Sequence, residues 1–337
     1  MESGNLIGGD KISIVMPVRN GLPYLEDCLQ SILSQTWTDW ELIIVNDHST
    51  DNTLTLLQEI SLRDQRIQWY NNEEIGITPA LIKASTYCTG NMISRMDADD
   101  IMPIDKLENL HQLLKNEEQG TVVTGMVKYF SSENLGEGYR KYEAWLNNLS
   151  SKQIHYSEIY KECCVASANW LMYMDDFERC GGFNVKMYPE DYSLVFEWRR
   201  MGYKILATKH ITHLWRDHLM RASRNDDNYK NNTFAPLKVS YFLDQDWNKN
   251  KQLILWGAGP KGKLIAKQLV KRNILFRWIC NNPNKIGQNI YNVEMETVDI
   301  LKAIPSSQVI VAVSQRKTKE TILNTLENHN HQSFFFC

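Results

Sequence analysis

At 337 residues the chain is longer than one ordinary domain and shorter than three, so one large domain plus one small one is the natural division. Lys and Arg total 37 against 40 for Asp and Glu, a formal charge of -3, which argues against a surface built to coat nucleic acid or an anionic membrane. An anionic partner must therefore be bound locally.

The start, "MESGNLIGGDKISIVMPV", lacks a basic stretch followed by an apolar one, and no segment approaches the roughly 18 apolar residues of a membrane span. A soluble, cytoplasmic chain is expected, with at most peripheral contact at the inner face of a membrane. Seven cysteines without paired spacing point to reduced thiols, and the neighbours Cys163 and Cys164 to buried packing.

In chain order, "KISIVMPV" (11–18) is an apolar strand closed by Pro17, and "YLEDCLQSILSQ" (24–35) has apolar residues at helical spacing. "WELIIVND" (40–47) reads as a strand buried on both faces. The helix of "TDNTLTLLQEISLR" follows, with Thr50 or Asp51 able to cap it. "RIQWYNN" is a third strand, "TPALIKASTYC" a helix with Pro79 near its start, and "NMISRMD" a fourth strand. Strands alternating with helices predict βαβ units and a parallel sheet covered on both faces. From 101 to 245 the periods loosen into longer polar connections and aromatic patches. The polar segment "YFLDQDWNKNKQ" places a domain boundary near 248, giving domains 1–247 and 248–337. Beyond it lie "LILW" as strand, "GAGPKG" as turn, "KLIAKQLVKR" as helix, "ILFRWIC" and "QVIVAVS" as strands, "KETILNTLEN" as helix and "SFFF" as a last strand.

In an open parallel sheet, ligands sit beyond the carboxyl ends of the strands where strand order reverses. Three strand ends here carry polar residues: "MPVRNG", "VNDHSTD" and "RMDADD". Two carboxylates separated by one residue on an extended segment face one space, so Asp97 and Asp99 would point together. Such a pair is relieved by a divalent cation with oxygen ligands. The alternative is a polar turn in which Asp99 or Asp100 caps the helix beginning near "PIDKLENLHQLL". Both readings stand at this level.

"ISIVMPVRNGLPYLEDCLQSILSQTWTDWELIIVNDHSTDNT", "GITPALIKASTYCTGNMISRMDADD" and "MYPEDYSLVFEWRRMGYKI" occur in that order between Ile12 and Ile205. Together they resemble a family 2 glycosyltransferase with the GT-A nucleotide-diphospho-sugar transferase fold. The resemblance implies an α/β domain with a mostly parallel central sheet. It also implies an inverting, metal-dependent transferase moving a sugar from a nucleotide-diphosphate donor, expected to be a UDP-sugar, to a carbohydrate or lipid-linked hydroxyl in bacterial surface-polysaccharide assembly. Mn²⁺ or Mg²⁺ is the implied cofactor. By the same resemblance Pro17, Val18, Arg19, Asn20, Asp47, Lys83, Asp97, Asp99 and Arg216 would contact the nucleotide sugar. Asp99, Asp100 and His218 would serve the metal, either of the two acids being the closer ligand, and Arg95 could be an ion partner of the cluster.

Transfer needs a base for the acceptor hydroxyl, and "PEDY" offers Glu190 and Asp191 beside an aromatic-rich helix; the family's base matches Asp191. First-turn acids favoured by the helix dipole would look the same. In "LWRDHLMRASR" (214–224), Arg216 and His218 suit phosphate, Ser223 resembles a family serine near the diphosphate, and Arg221 and Arg224 read equally as a solvated basic stretch. Trp170, with Glu190, falls where the family builds its acceptor side, although a Trp is more often core.

In the tail, Gly257, Gly259 and Gly262 satisfy G-x-G-x-x-G between a strand and a helix, the context of a dinucleotide turn. Asn281 stands where an acidic ribose ligand is expected about 20 residues on, and Lys261 and Lys263 could attract phosphate instead. The segment resembles the small Rossmann-like domain appended to some bacterial sugar-modifying enzymes. A structural or homo-oligomerising module and a nucleotide binder remain open for it, with hydride chemistry behind both. For the whole chain, a non-catalytic nucleotide-binding protein on the GT-A scaffold is the alternative to a transferase.

Overall fold

The computed structural model describes residues 9–132, 135–185, 187–221, 224, 234–314 and 316–337. It forms two compact units, Met1–Ser157 with Cys164–Arg221, and Glu158–Cys163 with Ala222–Cys337. The units divide after Arg221, upstream of the boundary expected near 248.

In the first unit the chain runs β1 (Ile12–Val18), α1 (Leu25–Leu33), β2 (Trp40–Asn46), α2 (Thr53–Arg63), β3 (Ile67–Asn71), α3 (Ile77–Ser85), β4 (Met92–Arg95) and α4 (Lys106–Leu114). It continues through β5 (Thr121–Phe130), α5 (Glu137–Lys152), β6 (Trp170–Tyr173), α6 (Met174–Arg179), α7 (Glu190–Arg200) and β7 (Lys204–Arg216). The sheet order is β3-β2-β1-β4-β6-β5-β7, parallel except for β6, which runs antiparallel to both β4 and β5. Every residue of β2 and nearly every residue of β1 is buried, which is why both read as unbroken apolar runs. β1 continues through Pro17, which pairs with Val45, to Val18.

The chain winds outward from β1 through β2 to β3, then returns to place β4 on the other side of β1. That reversal opens a crevice beyond the carboxyl ends of β1 and β4. Below it lies the main core, where Leu25, Leu29 and Ile32 of α1 and Leu107, Leu110 and Leu114 of α4 pack with Ile12, Ile14 and Met16. Helix α7 is buried from Tyr192 to Trp198, so it carries no polar stripe and its position is fixed by packing on all sides.

The second unit contains α8 (Ala235–Gln245), β8 (Gln252–Trp256), α9 (Pro260–Lys271), β9 (Arg277–Cys280), β10 (Asn289–Ile290), β11 (Val293–Thr297), β12 (Ser307–Val311), α10 (Arg316–Glu327) and β13 (Gln332–Phe335). Its sheet order is β10-β11-β9-β8-β12-β13, all parallel but β10. The sequence did not announce β10 and β11.

Candidate active site

The turn after β4 brings Asp97, Asp99 and Asp100 together with Arg95, Arg216, His213 and His218. Asp100 N–H donates to Asp97 O at 3.2 Å and closes a turn, so 97–100 is not extended and the alternation argument for Asp97 and Asp99 does not apply. The three acids diverge instead. Asp97 Oδ1 accepts from Arg95 Nε at 2.8 Å and Oδ2 accepts from Ser167 Oγ at 3.0 Å. Asp99 Oδ2 lies 2.9 Å from His218 Nε2, and its carbonyl accepts from Arg216 Nε at 2.8 Å. Asp100, fully buried, accepts from Arg216 N–H at 2.8 Å and lies 3.0 Å from His213 Nε2.

The expected choice between Asp99 and Asp100 as metal ligand is therefore weighted by geometry. Both Asp100 oxygens are committed to β7, while the Asp99 side chain keeps 29% of its surface. Helix α4 starts at Lys106 with Asp105 before it, so neither acid caps it. Burial pushes Asp99 up, but the His218 contact and the charge of Arg221 outweigh it and hold the carboxyl below its ordinary value. Burial and the neighbouring Asp99 charge push Asp100 well above its ordinary value, and burial drives His213 well below its own. Underneath, the fully buried Lys106 donates to Ala168 O at 2.5 Å, and burial lowers its amine to about 8 against the pull of Asp100 and Asp97.

The other strand ends line the same crevice. After β1, Asn20 sits in the left-handed region at φ 51, its N–H donating to Ser49 Oγ at 2.9 Å and its Oδ1 accepting from Thr50 N–H at 2.8 Å. The β1 loop and the β2 loop are thereby laced together. Asp47 N–H donates to Val18 O at 2.7 Å; its Oδ1 accepts from Asn72 Nδ2 at 2.9 Å and from Gly76 N–H at 3.0 Å. Burial raises this carboxyl, but the hydrogen bonds from Asn72, Gly76 and His48, and the charge of Arg19, bring it below the ordinary value. Lys83 donates to Asn71 O at 2.6 Å and to the Glu73 carboxylate.

At the start of α7, Glu190 and Asp191 separate in role. Glu190 is 3% exposed and its Oε1 accepts from Arg95 Nη1 at 2.8 Å, so it is a buried ion partner and differs from the acceptor contact expected of it. Asp191 is half-buried and accepts from Tyr192 N–H at 2.7 Å; burial and the Glu190 charge push its carboxyl up to about 7, against the pull of Arg95. Trp170, 2% exposed, packs against Trp198 with ring centroids 5.5 Å apart, and its Nε1 donates to Ser167 O at 2.8 Å. It is core, not a surface for a sugar.

Arg216 spans the crevice mouth. Its Nη2 donates to Asp27 Oδ2 at 3.0 Å, and its guanidinium lies 4.8 Å from the Tyr24 ring centroid and 4.9 Å from that of Phe130. His218 also packs on Tyr24, at 4.4 Å between centroids, and its Nδ1 is buried without a hydrogen-bond partner among the described residues. Arg221 is 8% exposed over the Trp215 ring and donates to Arg216 O at 2.9 Å, which departs from the solvated reading. Ser223 lies outside the described residues.

Among the described residues no three His, Cys, Asp or Glu side chains converge as a metal-ligand group. Asp99, ionised and partly exposed, with His218 against it, fits a hard cation that takes its remaining oxygens from a bound phosphate. The sequence missed Ser167 and Lys106 as parts of this site, since nothing in "ASANW" or "PIDKLENLHQLL" marks them; His213, which as a lone histidine reads as structural, is the buried partner of Asp100.

The glycine turn of the second unit is tight. Gly257 has φ +133, and a Cβ there would meet Ala312 O at 2.6 Å; a Cβ on Gly262 would meet Gly257 O. Gly259 caps α9. Asn281 Oδ1 accepts from Trp256 Nε1 at 2.7 Å, and Lys285 Nζ donates to Ala258 O at 2.7 Å.

A family model described as "Glycosyl transferase family 2" matches residues 13–181. Among curated proteins, the chain is 32% identical to glycosyltransferase GlyA of Streptococcus pneumoniae over 42% of this chain and 21% of that protein. It is 31% identical to the UDP-Glc:alpha-D-GlcNAc-diphosphoundecaprenol beta-1,3-glucosyltransferase WfgD of Escherichia coli over 45% and 56%. The matched stretches thus span less than two thirds of these relatives' length. Two solved structures share the fold at low identity. S. aureus TarS 1-349 in complex with UDP-GlcNAc has TM-score 0.53 and 14% identity, covering 77% of this chain and 71% of that one. The mannosyltransferase PcManGT from Pyrobaculum calidifontis, in complex with GDP-Man and Mn²⁺, has TM-score 0.52 and 18% identity, covering 77% and 69%. With its family match running from β1 through α6 and a mostly parallel sheet of the GT-A kind, the chain belongs to glycosyl transferase family 2.

Proposed function

We propose that the chain transfers a sugar, with inversion, from a nucleotide-diphosphate donor to a hydroxyl of a carbohydrate or lipid-linked acceptor, in bacterial polysaccharide assembly. The observation that carries this reading is Asp191, a half-buried carboxyl raised to about 7 on the same rim as the acidic turn. A base poised near the working pH is what activation of a hydroxyl requires. Asp47 and the Arg19–Asn20 loop would hold the nucleoside, Asp97 the ribose, and Arg216 and Lys83 the diphosphate. Asp99 with His218 would hold Mn²⁺ or Mg²⁺, which when bound supplies charge neutralisation for the departing diphosphate. Asp191 takes the proton of the acceptor hydroxyl as its oxygen bonds to the anomeric carbon, and the bond from that carbon to the diphosphate oxygen breaks on the opposite face.

UDP-sugars are the favoured donors, since one curated relative is named for UDP-Glc and one structural neighbour holds UDP-GlcNAc, against GDP-Man in the other. A lipid-linked acceptor would be met peripherally from the cytoplasmic side. Among the described residues no helix is long and apolar enough to cross a membrane. Thermal melts with UDP- and GDP-sugars, with and without Mn²⁺, test donor binding. A metal-dependent rise in Tm with UDP-sugars is expected. No rise with any nucleotide sugar would contradict the reading.

A further inference from the structure

Arg95 closes β4 with 3% of its surface exposed, and a buried guanidinium needs both its charge and its donors matched. Two different parts of the site match them. Nε donates to Asp97 Oδ1 in the acidic turn, and Nη1 donates to Glu190 Oε1 at the first residue of α7, each at 2.8 Å. Ser167 Oγ holds the second Asp97 oxygen at 3.0 Å, so that carboxylate is fully oriented. The strand beneath is hydrogen-bonded to β1 on one side and β6 on the other, which fixes the guanidinium's starting point. A planar fork can serve two carboxylates at once; an ammonium on a flexible stem does this poorly.

We propose that Arg95 is a positioning residue for transfer: it brackets Asp97 and the start of α7, holding the donor side and the base side of the reaction in one fixed relation. The inference rests on the reading of Asp191 as base. A misplacement of about 1 Å between reacting groups can cost about a hundredfold in rate, which is the scale at which such a bracket matters.

The bracket has an electrostatic consequence. The charged groups that face Asp191 are Glu190 beside it on α7, with Arg95 and Asp97 from β4 and its turn. Glu190 and Asp97 push the Asp191 carboxyl up and Arg95 pulls it down. Removing the Arg95 charge moves the acid limb of the kcat profile to higher pH, and removing the Glu190 charge moves it lower.

The test measures kcat and donor KM as a function of pH for R95Q, R95K, E190Q and R95Q/E190Q, with circular dichroism to confirm folding. R95Q and R95K should lose about tenfold to a hundredfold in kcat with a much smaller change in donor KM. The acid limb should rise in R95Q, stay in R95K and fall in E190Q. The double variant should be no worse than the worse single, because both act through one contact. Wild-type kcat in R95K, limbs moving the same way in R95Q and E190Q, or losses that multiply in the double variant would each overturn the proposal. If R95Q does not fold, R95K and E190Q decide: wild-type kcat in R95K, or an acid limb that does not fall in E190Q, would overturn the proposal. Asp191→Asn separates the two ideas: an active D191N removes the base, whereas an inactive D191N beside a wild-type-like R95K removes only the bracket.

Discussion

Two Asp–His pairs start from the same turn. Asp99 and His218 meet at 2.9 Å with side chains 29% and 11% exposed, and Asp100 and His213 meet at 3.0 Å with neither exposed at all. Their contact lengths are nearly equal, so burial makes the difference. In the outer pair, the histidine and Arg221 hold the acid ionised against partial burial. In the inner pair, burial raises the acid and lowers the base, favouring the uncharged form of each, and the hydrogen bond from Arg216 N–H pins the turn to β7. Adjacent residues of one type are thus held in different environments: the inner one ties the turn to β7, and in the function proposed above the outer one would face the ligand.

That contrast can be broken from either side. Asp99→Asn should have the largest effect, a loss of at least about a hundredfold in transfer with the melting curve little changed, because a neutral amide holds a divalent cation far more weakly than a carboxylate. Asp100→Ala should lower stability by about 2 to 4 kcal/mol in a denaturant titration, since Arg216 N–H and His213 lose their buried partner. His218→Ala should weaken metal stimulation by about tenfold to a hundredfold without comparable loss of stability. Asp100→Asn, which keeps a carbonyl oxygen for Arg216 N–H, should cost less than about 1 kcal/mol and sharpen the claim that the inner acid works without charge. If D100N abolished transfer while D99N did not, the two roles would be reversed.

The core of the fold was legible because β1 and β2, buried on both faces, read as unbroken apolar runs, and α1 carries its buried residues at helical spacing. The antiparallel β6 was not, since "WLMY" is too short to show a period, and two-residue β10 exists only by pairing with β11. At the site, residue types were legible and their directions were not. The alternation argument failed at Asp97 and Asp99 because a turn replaces the strand there. Trp170 is drawn into the core by Phe177, Phe183 and Trp198, neighbours no local pattern predicts. Arg95 was visible as an ion partner of the acidic cluster, but Glu190 lies 95 positions away and only the folded chain brings them together.

Asp191→Asn tests the central claim most directly, read by donor titration and by transfer rate in parallel. In the wild type, kcat should rise with pH through about 7 as the Asp191 carboxyl loses its proton, since only the ionised form accepts one from the acceptor. The variant should bind the donor as tightly as the wild type, lose transfer by at least about a hundredfold and show no such rise. Full transfer in D191N, with the rise intact, would contradict the account.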